Sequence, residues 1–448
     1  MAEAGGQVPE QDGLSQTEQQ GQVRKAAVAS VVGTSIEWYD FFLYGTAAAL
    51  VFPQVFFPGA SDYIGTLQAF ATYAVGFAAR PVGAAIFGHW GDRIGRKVTL
   101  IVTLVLMGLS TAAIGVLPGA SAIGAAAPII LIVLRILQGI AVGGEWSGSV
   151  LLSMEWGNQK RRGLMASWPQ VGVPIGLLLG TGAMSAFAAF AGDAFLTWGW
   201  RVPFLLSLLL VAIGLYVRLK ILKTPMFARL VRQKTVSKLP VVDAVKRFPK
   251  EIALTALVRY SEQMPFYILT AFVLTFVTGE TGLSRQFALN AVLAAAALEL
   301  FLMPTFGHLS DTLGRRRVYA TGAVLIAVIA VPYFALLSSG IAAVVFFTIV
   351  LSLVPHAMQY GPQASLIAET FPTGVRYGGA GLGYQFSSVI AGGPGPLIAT
   401  FLLHEFGTAY AISGYMIAGA ILTLVAIAFL PDRSRADISD DTVYAKAG

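Results

Sequence analysis

The 448-residue chain has no cysteine, only four histidines, and little charge: Asp, Glu, Lys and Arg together make up 12% of it. Without cysteine there is no disulfide, no thiolate metal site and no cysteine nucleophile. The histidines (His89, His308, His356, His404) are scattered and form no metal-ligand spacing, so a membrane enzyme or receptor built on such a cluster is not indicated. A water-soluble globule of this size carries about twice as much charge. With 56% hydrophobic residues, this chain belongs in a bilayer. The net charge of +7 could suggest nucleic acid, but the placement of the charges, given below, points to membrane topology and to no nucleic-acid partner. The first two dozen residues are rich in Gln, Glu and Gly and lack the basic start and apolar core of a signal peptide, so a disordered tail is expected there.

What is abundant is long apolar sequence. Stretches near the ~20 residues needed to cross hydrocarbon recur at 26–52, 63–88, 98–118, 127–151, 164–190, 199–219, 252–278, 286–307, 318–338, 341–366, 377–403 and 409–430. They predict an all-α membrane protein of twelve transmembrane helices in two pseudo-symmetric six-helix bundles. The expected division is an N-tail (1–25), a first bundle (26–219), a linker (220–251), a second bundle (252–430) and a C-tail (431–448). The linker is basic and carries Pro225, Pro240 and Pro249, which suits loops and short surface helices.

The chain repeats itself. Gly88-His89-Trp90-Gly91-Asp92-Arg93-Ile94-Gly95-Arg96-Lys97 returns as Gly307-His308-Leu309-Ser310-Asp311-Thr312-Leu313-Gly314-Arg315-Arg316, with Gly, His, Asp, Gly and Arg in register at an offset of 219. Glu155 and Arg162 return as Glu369 and Arg376 at an offset of 214. Duplicated halves with charged loops between apolar spans are the layout expected when a small molecule is handled between the halves. Of the 30 Lys and Arg residues, all but Arg80, Arg135, Arg201, Arg259 and Arg285 fall in the tails, the linker with its adjoining Arg218, and the even-to-odd connections, which predicts that both termini are cytoplasmic.

Charges inside the apolar spans are the chemical signal, because an unpaired ion in hydrocarbon costs several kcal/mol. Glu37, Asp40 and Tyr44 share one face of the first span at steps of three and four. Two carboxylates so close resist joint ionisation, the property a proton carrier requires; one of them pairing with a neighbouring arginine is the structural alternative. Arg80 lies late in the second span, and Arg135 shares a face of the fourth span with Gln138. Guanidinium grips a carboxylate bidentately and stays charged, so both suit an anionic substrate, Arg135 equally an internal counter-ion. Glu145 lies two turns beyond Gln138 and is a third proton-coupling candidate. In the second half, Arg259 and Glu262 sit at local pair spacing with Gln263 and Phe266 on the same face, while His356, Gln359, Tyr360 and Gln363 make a polar stripe on the tenth span. Tyr267, Gln359, Tyr360, Gln363 and Tyr384 are candidates to line a central site. Histidine titrates near neutrality in general, so His356 suits a proton relay as well as a buried hydrogen bond.

The Gly-x-x-x-Asp-Arg-x-Gly-Arg-Lys loop at 88–97 resembles the signature loop of the major facilitator superfamily. Further segments resemble its metabolite:proton symporter family: Glu37-Trp38-Tyr39-Asp40-Phe41, Arg80-Pro81-Val82-Gly83, Arg135-Ile136-Leu137-Gln138-Gly139, Gly143-Gly144-Glu145, Trp200-Arg201-Val202-Pro203-Phe204, and Glu369-Thr370-Phe371-Pro372-Thr373-Gly374-Val375-Arg376-Tyr377. The match runs through nearly all of 26–430. It implies the major facilitator fold and proton-coupled uptake, by alternating access, of a small organic anion such as shikimate, 2-oxoglutarate or citrate. The proton is the coupling ion, with no other cofactor and no catalysis. The setting it implies is the bacterial inner membrane, and a monomer is the default.

The loops are then expected to gate. Asp92 and Asp311 should bond loop amides or helix N-termini and pair with Arg93, Arg96 and Arg315, with Glu155, Glu369, Arg162 and Arg376 as partners in the adjacent loops. Thr312 stands where the first loop has Arg93, so the two gates need not be equally strong. Three alternatives remain at this stage. An osmolyte (proline or betaine) symporter is disfavoured by a C-tail too short for a coiled coil, a drug:proton antiporter by Arg80 and Arg135, and a uniporter would carry no proton.

Overall fold

A computed structural model describes residues 16–94, 96–143, 161–221, 240–372, 375–438 and 441–444. Among these residues twelve helical rods run through the molecule and no strand occurs. In the first half they are α1 (Gln16–Leu50), α2 (Asp62–Ala78, continued by Arg80–Ile94), α3 (Arg96–Val116), α4 (Ala126–Val142), α5 (Arg162–Gln170, continued by Gly172–Ala191) and α6 (Arg201–Ile221). In the second half, α7 is assembled from Pro249–Val258, Tyr260–Tyr267, Ile268–Phe272 and Val273–Glu280. It is followed by α8 (Arg285–Leu313), α9 (Arg315–Leu337), α10 (Ala342–Ala368), α11 (Arg376–Ser387, Ser388–Gly392 and Pro394–Phe406) and α12 (Tyr410–Phe429). A short helix, Pro240–Arg247, lies in the region between the halves.

Seven of the rods are long and apolar enough to cross a membrane, and Ile101–Val116, Ala126–Val142 and Arg201–Val217 are shorter apolar helices. The two that remain, α1 and α7, each carry two ionisable residues close together: Glu37 and Asp40 in α1, Arg259 and Glu262 in α7. They occupy equivalent places in the two bundles. Helical backbone is already present at Gln16, ten residues before the expected start of the first span. Gln, Glu, Arg and Lys are good helix formers, and helix need not stop where hydrophobicity stops.

The halves meet where α1 faces α7, α2 faces α11, and α5 faces α8 and α10. In α7 and α11 the interface coincides with a π-helical turn, Ile268–Phe272 and Ser388–Gly392 respectively. Such turns re-aim the side chains around them and concentrate at functional sites. Within the first bundle α2 and α4 approach closely. A Cβ at Gly139 would overlap the carbonyl of Gly76, and one at Gly76 would overlap the Arg135 guanidinium.

Candidate functional site

The first-half cluster is built from α1, α2 and α4. Arg80 and Arg135 are each 1% exposed, so neither guanidinium is solvated. Aromatic faces take the place of water. Arg80 lies over Phe41 (4.3 Å) and Phe77 (4.6 Å), and Arg135 over Tyr44 (4.2 Å), Phe41 (4.4 Å) and Tyr73 (4.8 Å), so the Phe41 ring serves both. Arg135 donates from Nη1 to Gln138 Oε1 (3.1 Å), and Gln138 donates to Thr111 (2.7 Å). Yet Nε and Nη2 of both arginines have no hydrogen-bond partner, and neither do the two carboxylate oxygens of Asp40. Thr111 and Arg135 are the polar neighbours of Asp40. Tyr44 donates to Thr72 (2.7 Å), which fixes its ring beneath Arg135. Glu37 is half-buried and engaged in contacts of its own.

The second half supplies the facing wall. Tyr267 packs against Phe77 (5.1 Å), Tyr73 (5.9 Å) and Phe41 (6.0 Å) across the interface. Arg259 stacks on the Tyr384 ring (3.4 Å) and donates to the Tyr384 carbonyl (2.7 Å). Tyr360 and Tyr384 hydroxyls lie 3.4 Å apart. Behind this wall is a charge-paired network: Arg259 pairs with Glu262 (3.2 Å), Gln363 donates to Glu262 (2.6 Å), and His356 sits between Glu262 (3.3 Å) and Glu299. His356 is therefore not the lone buried histidine that its sequence suggests. Gln359 bonds to Ser261 (2.5 Å) and serves the contact between α7 and α10.

A third constellation closes the face that carries the repeated loops, the basic face. Asp311, at the end of α8, accepts hydrogen bonds from the backbone N–H groups of Gly163 (2.8 Å) and Leu164 (3.0 Å), the first turn of α5 in the other half. A carboxylate from one bundle thus caps a helix of the other, where the helix dipole favours negative charge. Arg315 holds Asp311 (2.7 Å), and Glu369 receives both Arg162 (3.0 Å) and Arg315 (3.4 Å). The other nitrogens of Arg162 donate to the carbonyls of Arg433, Ser434 and Ala436, so the chain after α12 lies across the junction. Arg376 bonds to the carbonyls of Phe371 and Ile438 and to the Tyr444 hydroxyl, all within the second half.

The opposite face is also bridged: Tyr63 stacks on His404 (3.6 Å) and Gln286 donates to Ser185 (2.5 Å). Contacts between the halves thus occur at both faces.

The structure thus brings Asp40, Arg80, Arg135, Gln138, Tyr44, Tyr267 and Tyr384 to one region, and Arg162, Asp311, Arg315 and Glu369 to another. Glu145 and Glu155 lie outside the described residues, as do the side chains of Asp92, Arg93 and Arg96. Glu299 was not singled out from the sequence, although an isolated acid between Leu298 and Leu300 in an alanine-rich span was the available signal. Phe41, shared by both arginines, was visible only as part of a motif.

Comparison with known proteins fits this geometry. Residues 25–247 match the family described as Sugar (and other) transporter, and residues 252–442 match Major Facilitator Superfamily. The shikimate transporter of Escherichia coli (strain K12) is 43% identical over 92% of this chain and 95% of its own. The chain belongs to the major facilitator superfamily. An inner membrane metabolite transport protein of the same organism is 39% identical over 90% of this chain and 93% of its own, and its proline/betaine transporter 33% over 90% and 83%. The solved structure of a proton:xylose symporter shares the fold, with a TM-score of 0.71 at 17% identity over 95% of this chain and 100% of that one. The protein is accordingly a multi-pass membrane transporter and not an enzyme, as the sequence reading expected.

Proposed function

We propose that the protein imports a small organic anion of the shikimate type together with a proton, by alternating access, with its basic face and both termini in the cytoplasm of a bacterium. The observation that carries this reading is the pair of buried guanidiniums, each with Nε and Nη2 unpartnered, with the buried carboxylate of Asp40 next to Arg135. Arg80 and Arg135 present donors in the fixed geometry that a carboxylate matches bidentately. Asp40 is the natural competitor for those donors. When Asp40 carries a proton, the arginines are left to the substrate; when it releases the proton toward the cytoplasm, it reclaims Arg135 and the substrate is expelled. The second half contributes Tyr267 and Tyr384 as walls that accommodate a ring.

The relatives also include proline/betaine transporters, but a quaternary ammonium needs free aromatic faces. Here Phe41, Phe77, Tyr44 and Tyr73 already cover guanidiniums, which favours the anion. The test uses purified protein in proteoliposomes with radiolabelled shikimate. An inward proton gradient should drive accumulation, and Asp40→Asn should abolish that accumulation while shikimate exchange at equal pH continues. Full concentrative uptake by Asp40→Asn would remove this residue from the coupling, and absence of any shikimate uptake or exchange by the parent would reject the substrate assignment.

A further inference from the structure

We propose that His356 and Glu299, backed by Glu262, form a second proton-binding site, separate from Asp40, that is filled and emptied in each transport cycle. This rests on the proton-symport reading for its transport consequences, but not for the protonation chemistry itself.

The geometry is specific about where a proton must sit. His356 faces a carboxylate oxygen at each ring nitrogen, Glu299 at Nδ1 and Glu262 at Nε2 (3.3 Å). Ionised carboxylates only accept, so two such contacts require an N–H at both nitrogens, which is the imidazolium form. Charge counting agrees. Arg259 and an imidazolium balance Glu262 and Glu299, and all four side chains are 3% exposed or less. Remove the proton and the cluster carries one uncompensated negative charge, with a ring lone pair aimed at a carboxylate oxygen, among side chains that are almost fully buried. One proton is therefore part of this network, shared between His356 and its two acids.

Within the network, the titrating pair is His356 with Glu299. Glu262 is already held by Arg259 (3.2 Å) and Gln363 (2.6 Å), whereas the second oxygen of Glu299 has no partner. The groups facing the pair are Arg259 and Glu262 from α7, Tyr319 from α9 through Gln363, Tyr360 from the same helix α10, and Tyr384 from α11 behind Arg259. Phe266 stacks on the imidazole (4.2 Å) and itself meets Phe42 of α1 (5.7 Å), which separates this proton from the Asp40 cluster.

The site is placed to act on the moving parts. Glu262 lies two turns before the π-turn of α7, and Arg259 grips the ring and carbonyl of Tyr384, one turn before the π-turn of α11. Those turns carry the contacts with Phe77 of the first half, through Tyr267 and Gly392. Loss of the proton strengthens the pull of the carboxylates on Arg259 at the expense of Tyr384, and so changes the anchorage of both bent helices together. Symport of a monoanion with two protons would be electrogenic.

The experiment has two arms. In the first, the full chain, labelled with ¹⁵N-histidine in lipid nanodiscs, is read by solid-state NMR, with His356 left as the one histidine after His89, His308 and His404 are replaced by Gln. The expected result is an imidazolium at pH 7.5 that loses its proton reversibly as pH is raised, and a neutral ring at pH 7.5 in Glu299→Gln. A neutral His356 in the parent at pH 7.5 overturns the proposal, and this measurement needs no variant of the cluster to fold and no known substrate. In the second, protons taken up per shikimate are counted in proteoliposomes: about two for the parent, falling by one in Glu299→Gln with exchange retained and with the stimulation by an inside-negative potential lost. An unchanged ratio would make the network a static structural element and end the proposal. Should the parent fail to transport shikimate, the symport reading falls while the NMR result still decides the protonation claim.

Discussion

Asp311→Asn offers the most direct perturbation of the proposed alternating access, because its bonds to α5 join the two halves at the basic face. The carboxylate accepts from the Gly163 and Leu164 amides at 2.8 and 3.0 Å and is held by Arg315 at 2.7 Å. Hydrogen bonds to charged groups contribute ~1.5–3 kcal/mol each, and neutral ones ~0.5–1.5. Asparagine keeps one acceptor oxygen but turns the other position into a donor aimed at an N–H. The closed state should lose ~2–3 kcal/mol relative to the open one, which at ~1.4 kcal/mol per tenfold is a shift of roughly 30- to 150-fold. Arg315 also loses its partner, though Ser310 and Glu369 still receive it. The chain has no cysteine, so a single reporter can be introduced without background. Ser167 is fully buried against Gly307 at this junction. With Ser167→Cys as the parent, maleimide labelling should accelerate by that same factor when Asp311→Asn is added, since labelling tracks the open population when opening is fast. Transport should fall at the same time, because alternating access, as proposed, requires the basic face to close in each cycle. An unchanged labelling rate would show that this cap does not hold the gate, and the reasoning would fail.

Two further outcomes follow from the same contacts. Gly76→Val places side-chain atoms where the Arg135 guanidinium lies, so transport should drop at least tenfold while Gly59→Val, at a site with open space, leaves it unchanged; uptake assays with expression-matched protein check this. Ending the chain after Asp432 removes the carbonyls of Arg433, Ser434 and Ala436 that receive Arg162, and should speed labelling of Ser167→Cys several-fold without altering shikimate exchange at saturating concentration.

The fold was almost wholly legible because its signal is long-range and redundant. Twelve apolar stretches and an internal repeat are hard to mistake, and the bilayer permits few alternatives. The cap by Asp311 was legible as well, since a loop acid next to arginines in a duplicated motif has few other partners. The His356 network was not. Periodicity placed His356, Gln359 and Gln363 on one face of the tenth span, but it could not show that Glu299 of a different helix meets the ring, while Gln359 turns to Ser261. Pairing between helices is set by their rotation and tilt, which sequence spacing does not encode. The shared use of Phe41 by Arg80 and Arg135 escaped for the same reason.

The asymmetry between the halves bears on what the transporter recognises. In the second half the buried charges find one another; in the first, among the described residues, Nε and Nη2 of both Arg80 and Arg135 are buried without a hydrogen-bond partner. Breaking a buried ion pair by removing one partner costs ~3–5 kcal/mol, and buried guanidinium N–H groups without acceptors bear a cost of the same kind. A bound carboxylate offsets it, so charge rather than ring shape should dominate recognition. Shikimate methyl ester keeps the ring and hydroxyls but loses the charge. It should therefore inhibit uptake of labelled shikimate at least ~100-fold more weakly than shikimate itself, the factor that ~3 kcal/mol implies. Arg80→Gln should narrow that gap by weakening the acid and leaving the ester nearly unaffected. If ester and acid compete equally well, the two guanidiniums are structural counter-ions to Asp40 and the aromatic wall, and the substrate is held elsewhere.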